Sequence, residues 1–237
     1  ISNYSNSKYV PEAIKKIEQI EWSETEKQNS VSAYRTFITR YPNSTYVKEA
    51  TRRYEEMRVN VFPFLTADKK YMLFDIDDNK FRTQNVYENL QMVGKSKFIA
   101  SKFNKFGLID KSGEVVIPLT YSCINAVDTL LELNLGNKSA VFTASGKKII
   151  DFLYDAVEIG KQHIKAVRNG LTDTSRKQFD IFDRQGVLKF SGKYHNLYMI
   201  NDTLFIVSLN KTDYLINSNS KNLSSKFQSI GFPENNL

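Results

Sequence analysis

With one cysteine, Cys123, the chain has no intrachain disulfide, so packing alone must hold its fold. The Cys123 thiol sits in an apolar strand-like context, Tyr121-Ser122-Cys123-Ile124, and is expected to be buried and inert. Histidine is scarce too: His163 and His195 lack a second His or Cys at ligand spacing, which argues against a transition-metal site. Only ten Gly and five Pro occur in 237 residues, which excludes a low-complexity linker or disordered chain. No uninterrupted apolar run approaches the roughly 18 residues of a membrane-spanning helix, and no signal peptide is visible. Because the chain opens Ile1-Ser2-Asn3 instead of with Met, a processed or truncated form is expected. There is no Gly-x-Ser-x-Gly elbow. Ser145-Gly146-Lys147 lacks the upstream glycine of a phosphate loop. The net charge of +7 is spread along the chain, with acids interrupting the basic pairs, so no basic stripe marks a nucleic-acid binder.

What is abundant is aromatic: 13 Tyr and 16 Phe, a composition that favours strands. Internal repetition is the second positive signal. Tyr4-Ser5-Asn6-Ser7-Lys8-Tyr9-Val10-Pro11-Glu12-Ala13 aligns with Tyr41-Pro42-Asn43-Ser44-Thr45-Tyr46-Val47-Lys48-Glu49-Ala50, at a spacing of 37. Asn or Ser in the turn is expected to cap the following helix, where Tyr46, Val47, Ala50 and Tyr54 fall at helical spacing. Ser32 to Arg40 carries Tyr34, Phe37 and Ile38 on one face with Tyr41, predicting a helical hairpin over 22–58. These residues resemble the tetratricopeptide-like hairpins of bacterial envelope and scaffold proteins. The first copy lacks its leading helix, so the natural protein is expected to extend upstream.

From residue 68 the pattern changes to alternation, as in Leu131-Glu132-Leu133-Asn134-Leu135. Residues 61–67 read as a junction, with Pro63 ending any helix. A second repeat follows. Gly113, Gly146 and Gly186 stand eight residues before Tyr121, Tyr154 and Tyr194. Asn79 and Asn219 stand the same distance before Tyr87 and Phe227. Gly and Asn tolerate left-handed backbone, so these positions predict tight turns, with Asp110, Thr143 and Asp183 opening three of them. Leu171 to Ser175 reads as a loop insertion in the long fourth unit. Each unit of about 33 residues is expected to hold short strands or a three-stranded meander.

The stretch Lys105-Phe106-Gly107-Leu108-Ile109-Asp110-Lys111-Ser112-Gly113-Glu114-Val115-Val116-Ile117-Pro118-Leu119-Thr120-Tyr121 resembles the WG-repeat family of bacterial proteins. Phe106 occupies the Trp position and Gly107 the Gly position. Phe142, Phe182 and Leu215 hold strand positions in the weaker units. The resemblance covers about 68–237. It implies repeated β units and an interaction role, with no catalytic residues.

The expected architecture is therefore α+β by segregated domains. Residues 1–60 form a tetratricopeptide-like fragment, and residues 68–237 form five β-repeats. The repeats are read as stacked antiparallel hairpins or meanders, with a five-bladed propeller as the alternative. The expected function is a non-catalytic bacterial scaffold that presents a β-repeat surface to a protein partner. The alternative is cell-envelope glycan or peptidoglycan binding through repeated aromatics, which would place the protein in the envelope or periplasm. No cofactor, metal, nucleic acid or transmembrane segment is expected. The candidate binding surface is Phe103, Phe106, Tyr121, Tyr154, Tyr194 and Tyr198. Asp110, Gly113, Gly146, Asp183 and Gly186 are assigned to turns. The acidic group Asp75, Asp77, Asp78 and Asn79 resembles a calcium loop but lacks its glycine and terminal Glu, and turn chemistry accounts for it. A recurring aromatic corner, Tyr87 to Phe227, is read first as packing between units and second as an exposed ladder.

Overall fold

A computed structural model describes residues 9–169, 175–201 and 203–223. The first repeat copy's turn at 4–7, most of the 171–175 insertion and Phe227 lie outside the described residues. Three helices come first: α1 (Val10–Gln28), α2 (Val31–Arg40) and α3 (Val47–Met57). Ser30 caps α2 by accepting the Ala33 amide at 3.2 Å, so this helix begins one residue before the expected Ser32. The α3 cap differs from expectation. Its N-cap is Tyr46, with no side-chain cap. Ser44 is buried in the preceding turn and accepts the Tyr46 amide at 3.3 Å, so it shapes the turn and leaves the helix end uncapped.

The helical core is aromatic. Trp22 stacks on Tyr46 with centroids 5.4 Å apart and meets Phe37 edge-on at 5.3 Å. The Arg53 guanidinium lies 5.5 Å from the Trp22 ring and donates to the Tyr34 hydroxyl at 3.1 Å. Cation–π attraction and the burial of Tyr34 and Phe37 thus bind the three helices into one cluster.

Five antiparallel sheets follow. Sheet one is β1 (Val61–Leu65), β2 (Tyr71–Asp75) and β3 (Lys80–Phe81). Sheet two is β4 (Asn89–Val93), β5 (Lys97–Lys102), β6 (Lys105–Asp110) and β7 (Val115–Tyr121). Sheet three is β8 (Cys123–Val127), β9 (Leu130–Leu135), β10 (Lys138–Thr143) and β11 (Lys148–Tyr154). Sheet four is β12 (Ala156–Ile159), β13 (His163–Asn169), β14 (Lys177–Asp183) and β15 (Leu188–Tyr194). Sheet five is β16 (Asn196–Met199), β17 (Leu204–Leu209) and β18 (Thr212–Asn217). The three middle units are four-stranded, which matches the expected short strands and not the three-stranded meander. Strands of four to seven residues joined by tight turns fit four to a unit. Part of the expected junction is strand as well: Pro63 sits opposite Leu73 in β1, at the sheet edge, where its missing N–H breaks no ladder.

Each sheet lies face to face on the next. Val93, Ile99, Leu108 and Ile117 of sheet two pack with Ile124, Leu131, Leu133 and Phe142 of sheet three. Phe179, Ile181 and Phe190 of sheet four pack with Leu197, Phe205 and Val207 of sheet five. A sheet held between two others buries both faces. Phe98-Ile99-Ala100 in β5 and Ala140-Val141-Phe142 in β10 are therefore buried without a break, where half-exposed strands would alternate.

The turns that follow the third strands of sheets two to five are copies of one another. In each, an amide donates three residues back, from Gly113 to the Asp110 carbonyl, Gly146 to Thr143, Gly186 to Asp183 and Ser220 to Asn217. The side chain opening each turn accepts amides too. Asp110 takes those of Ser112 and Glu114 at 2.8 and 3.0 Å, and Asp183 those of Gln185 and Val187 at 3.0 and 2.9 Å. In the fifth unit the positive φ falls on Ser220 (58°) and not on Asn219, because Asn217, one residue later than the spacing predicts, opens that turn.

Gly186 is needed twice over. Its φ is +86°, and a Cβ there would lie 2.6 Å from the Ile149 carbonyl oxygen of sheet three. Gly94 has φ +62° with open space around it. Gly94→Ala is expected to cost about 1 kcal/mol for left-handed backbone alone. Gly186→Ala is expected to cost about 3 kcal/mol, since the sheets must also separate. Urea denaturation of both variants checks this, and equal costs would show that the turn does not seat one sheet on the next.

Candidate interaction surface

The helical cluster is fastened to the sheets by charge. The Lys111 ammonium, in the β6–β7 turn, donates to the Glu55 carbonyl and lies 3.1 Å from its carboxylate. Arg58 reaches Asp77 at 2.6 Å. Asp75 is fully buried, where its carboxylate accepts from Asn60 at 2.8 Å, from Arg82, and from the amides of Asp77 and Asp78 at 2.9 and 3.2 Å. Burial raises the Asp75 pKa, but Arg82, these amides and Asn60 outweigh it and hold the group at about 2, below its ordinary 3.8. Asp78 is paired with Arg82 at 2.7 Å and Lys80 at 3.2 Å. The carboxylates of the calcium-like group are thus engaged by cations, and among the described residues no group of three or more His, Cys, Asp or Glu is arranged to hold a metal.

The recurring aromatics are packed between units. Tyr87 and Tyr154 are buried at 4% and 5% exposure, which removes Tyr154 from the candidate binding surface. Tyr121 is half-buried and stacks on Phe152 at 5.7 Å. Tyr194 is half-buried and packs on Phe179 at 6.4 Å. Phe106 is half-buried against the core between sheets two and three. The Tyr154 hydroxyl donates to Asp180 at 2.8 Å, and Arg168 reaches the same carboxylate at 3.0 Å. Burial would raise the Asp180 pKa, but Ser191, Tyr154, Gln178 and Arg168 together hold it low. Asp180 occupies the unit position that Gly107 and Ala140 hold in sheets two and three, so a polar contact replaces close packing there.

Cys123 is half-buried, and its sulfur lies 3.6 Å from the Asn125 side-chain oxygen. The expectation of a buried thiol fails because β8 is an edge strand of its sheet. His163 is buried edge-on to Phe205 at 5.7 Å, and His195 accepts the Asn210 amide at 3.3 Å. Both belong to packing and turn structure.

Two of the expected surface residues are exposed: Phe103 at 79% and Tyr198 at 42%. Phe103 is the more telling. It begins the β5–β6 turn at φ +53°, followed by Asn104 at +55°. The matching positions in sheets three and five are Gly136 and Asn210, residues suited to that backbone. A bulky side chain in left-handed conformation costs about 1–2 kcal/mol. Its burial offers no compensation here, and the Lys102 ammonium lies 5.7 Å from the ring.

A further exposed aromatic face includes Phe62 and Phe64, which were read in the sequence as junction. Phe62, Phe64, Met72, Phe74 and Phe81 share one face of sheet one: Phe62 is opposite Phe74, Phe64 opposite Met72, and Phe74 opposite Phe81. Phe64, Phe74 and Phe81 form a triangle with centroids 5.2–5.6 Å apart. Phe62, Phe64 and Phe81 are 37%, 48% and 45% exposed. The other face, with Val61 and Leu73, is buried against Tyr87, Leu90, Phe98 and Ile109. The phenylalanine face of sheet one is therefore left exposed.

No protein-family model matches the chain, and no curated protein does. Among solved structures the chain is similar to Hsv2 of Kluyveromyces lactis, with 11% identity over 68% of this chain and 58% of that one and a TM-score of 0.36. It is similar to the N-terminal domain of Nup159 at 10% identity, 67% and 55% coverage and a TM-score of 0.36. PorZ, a bacterial surface component of the type-IX secretion system of Porphyromonas gingivalis, matches at 9% identity, 72% and 28% coverage and a TM-score of 0.29. The chain spans less than two thirds of the length of each. Overlap this low carries nothing about what the chain does. No described helix is long and apolar enough to cross a membrane.

Two outcomes are expected from this geometry. Asp75 contributes stability above its ordinary pKa of 3.8 that is lost as pH falls toward 2, about 2 kcal/mol in all. Asp75→Asn should therefore be about 3 kcal/mol less stable at pH 7, with the gap to the parent narrowing between pH 4 and pH 2 in urea titrations. A constant gap would mean that the carboxylate charge is not what matters. Separately, Phe103→Asn should raise stability by about 1 kcal/mol by relieving the turn. A loss of stability would instead mean that Phe103 is a packing residue.

Proposed function

We propose that this chain is a non-catalytic interaction module of the WG-repeat type, bacterial in origin, that binds a protein partner through the open phenylalanine face of sheet one. The observation that carries this reading is the side-by-side exposure of Phe62, Phe64 and Phe81 on a face whose equivalents in sheets two to four are buried. Contiguous exposed apolar area of this kind marks association sites, and phenylalanine suits the desolvated centre of a protein interface. The ring geometry argues against sugar. Phe64 and Phe74 each meet Phe81 near-perpendicular, at 77° and 70°, which presents edges where a sugar ring needs a flat platform. The once-per-unit tyrosines do not supply that platform either, because Tyr87 and Tyr154 are buried between units.

The test compares the parent chain with Phe64→Ser/Phe81→Ser as immobilised bait for host soluble and cell-wall fractions. The double variant should keep its melting temperature within a few degrees, as exposed substitutions generally do, and should lose a protein that the parent captures. Equal capture by both, or retention only by wall material that soluble glycan fragments release, would overturn the reading.

A further inference from the structure

One turn position recurs in two clefts between units, and the first cleft shows what belongs in the second. Asp110-Lys111-Ser112-Gly113 of sheet two and Asp183-Arg184-Gln185-Gly186 of sheet four are the same turn, and each glycine lies against the unit before it, at Thr83 and at Ile149. In both, the residue after the aspartate is a cation. Lys111 uses its charge to hold a peptide segment: the ammonium donates to the Glu55 carbonyl and pairs with the Glu55 carboxylate. With Glu55 seated, about 90 Å³ of that gap stays open. Between sheets three and four the cleft measures about 490 Å³, inside the roughly 300–1,000 Å³ range of ligand sites. Arg184 lines it where Lys111 lines the first. Sheet three carries Ala144 at this turn position, so the gap between sheets two and three receives no cation from it.

We propose that the cleft between sheets three and four binds an acidic peptide segment, a carboxylate with its neighbouring backbone carbonyl, as the first cleft takes Glu55. Arg184 is held in place for this. It donates to the Gly160 and Lys161 carbonyls at 2.6 and 3.4 Å through one terminal nitrogen, which leaves the other for a carboxylate. That second nitrogen lies 3.5 Å from Asp128, whose side chain is 71% exposed. A pair so long and so exposed is worth little, so an incoming carboxylate can displace it. Lys147 lines the same cleft, and its ammonium forms no ion pair among the described residues. Two cations against Asp128 alone leave the cleft net positive. Thr129 and Ser145 add hydroxyl groups, and Leu130 and Ile149 add apolar surface for the methylene groups of a glutamate.

The probe is the acetylated and amidated tetrapeptide Tyr-Glu-Glu-Met, the sequence of residues 54–57, titrated into the full chain and followed by amide NMR shifts. Saturable shifts are expected at Thr129, Ser145 and Gln185. The same peptide with Gln in place of both Glu should give none. Lys147→Gln should weaken binding about threefold. Asp128→Asn should tighten it by about the same factor, because the competing charge is gone while Asn suits the left-handed backbone there, at φ +55°. Phe64→Ser/Phe81→Ser should leave peptide affinity unchanged, so failure here and failure of the phenylalanine face are read separately. No saturable shift, equal shifts from the Gln peptide, or an affinity indifferent to both Lys147 and Asp128 would overturn the proposal. So would shifts confined to the joint around Lys111, because the peptide would then be exchanging with Glu55 and passing over the second cleft.

Discussion

The rest of the structure depends on burial of both faces of each inner sheet. A four-stranded meander with apolar residues on both sides has no stable place in water alone, and here it gains one between two others. That requirement explains the unbroken buried runs in β5, β10 and β14, where one-sided sheets would alternate. It explains why the turns are so alike, since a turn that changes shape moves its sheet against the next. Gly186 is an instance: the same residue closes its own hairpin and lies against the Ile149 carbonyl of the neighbouring sheet. The register shift recurs as well. Leu108 faces Ile117 while Ile109 faces Val115, and the same step appears at Val141 and Phe142 and at Ile181 and Phe182. A repeated bulge coils each sheet in the same sense, so successive units can stack at a constant twist.

Much of this is legible in the sequence because turns are written in residue types. Gly113, Gly146 and Gly186 sit where positive φ is required, and Asp110 and Asp183 sit where two amides need an acceptor. The fifth unit is harder to place, because Asn217, Asn219 and Ser220 are all credible turn residues and spacing alone chooses among them. Only the hydrogen bonds show that Asn217 opens the turn. Strand number escapes for a different reason. Periodicity cannot divide a buried run into strands when both faces are apolar, and β8 and β9 are separated by only Asp128 and Thr129. The phenylalanine face escapes because Phe62-Pro63-Phe64 carries a proline. Proline reads as a break, yet it is tolerated at a sheet edge, so two exposed aromatics in the first strand pass for linker.

Departures from the repeat are more informative than its consensus. Asp180 stands where Gly107 and Ala140 allow close packing, and its burial is offset by Tyr154, Arg168, Gln178 and Ser191. That substitution is locally consistent: the corner tyrosine of one unit finds a charge in the next, and the fold keeps a contact in polar form. Phe103 is locally inconsistent. It occupies a left-handed position that the neighbouring units give to Gly and Asn, and its ring is in solvent. Burial does not offset that strain, since the ring is 79% exposed.

The phenylalanine face lies on the sheet that also carries the helical cluster, and a charged joint determines how the two are held. Lys111 and Glu55 tie the last turn of α3 to sheet two, and Arg58 and Asp77 tie the residue after α3 to sheet one. Asp75, buried between Asn60 and Arg82, sits at the centre of this joint, where losing one partner would leave a charge without water or counter-ion. Such a joint adds less net stability than its short distances suggest, because desolvation opposes the Coulomb gain, but it fixes one orientation against others. That property matters more to the fold than extra stability, because it keeps the helical cluster in one position beside sheet one.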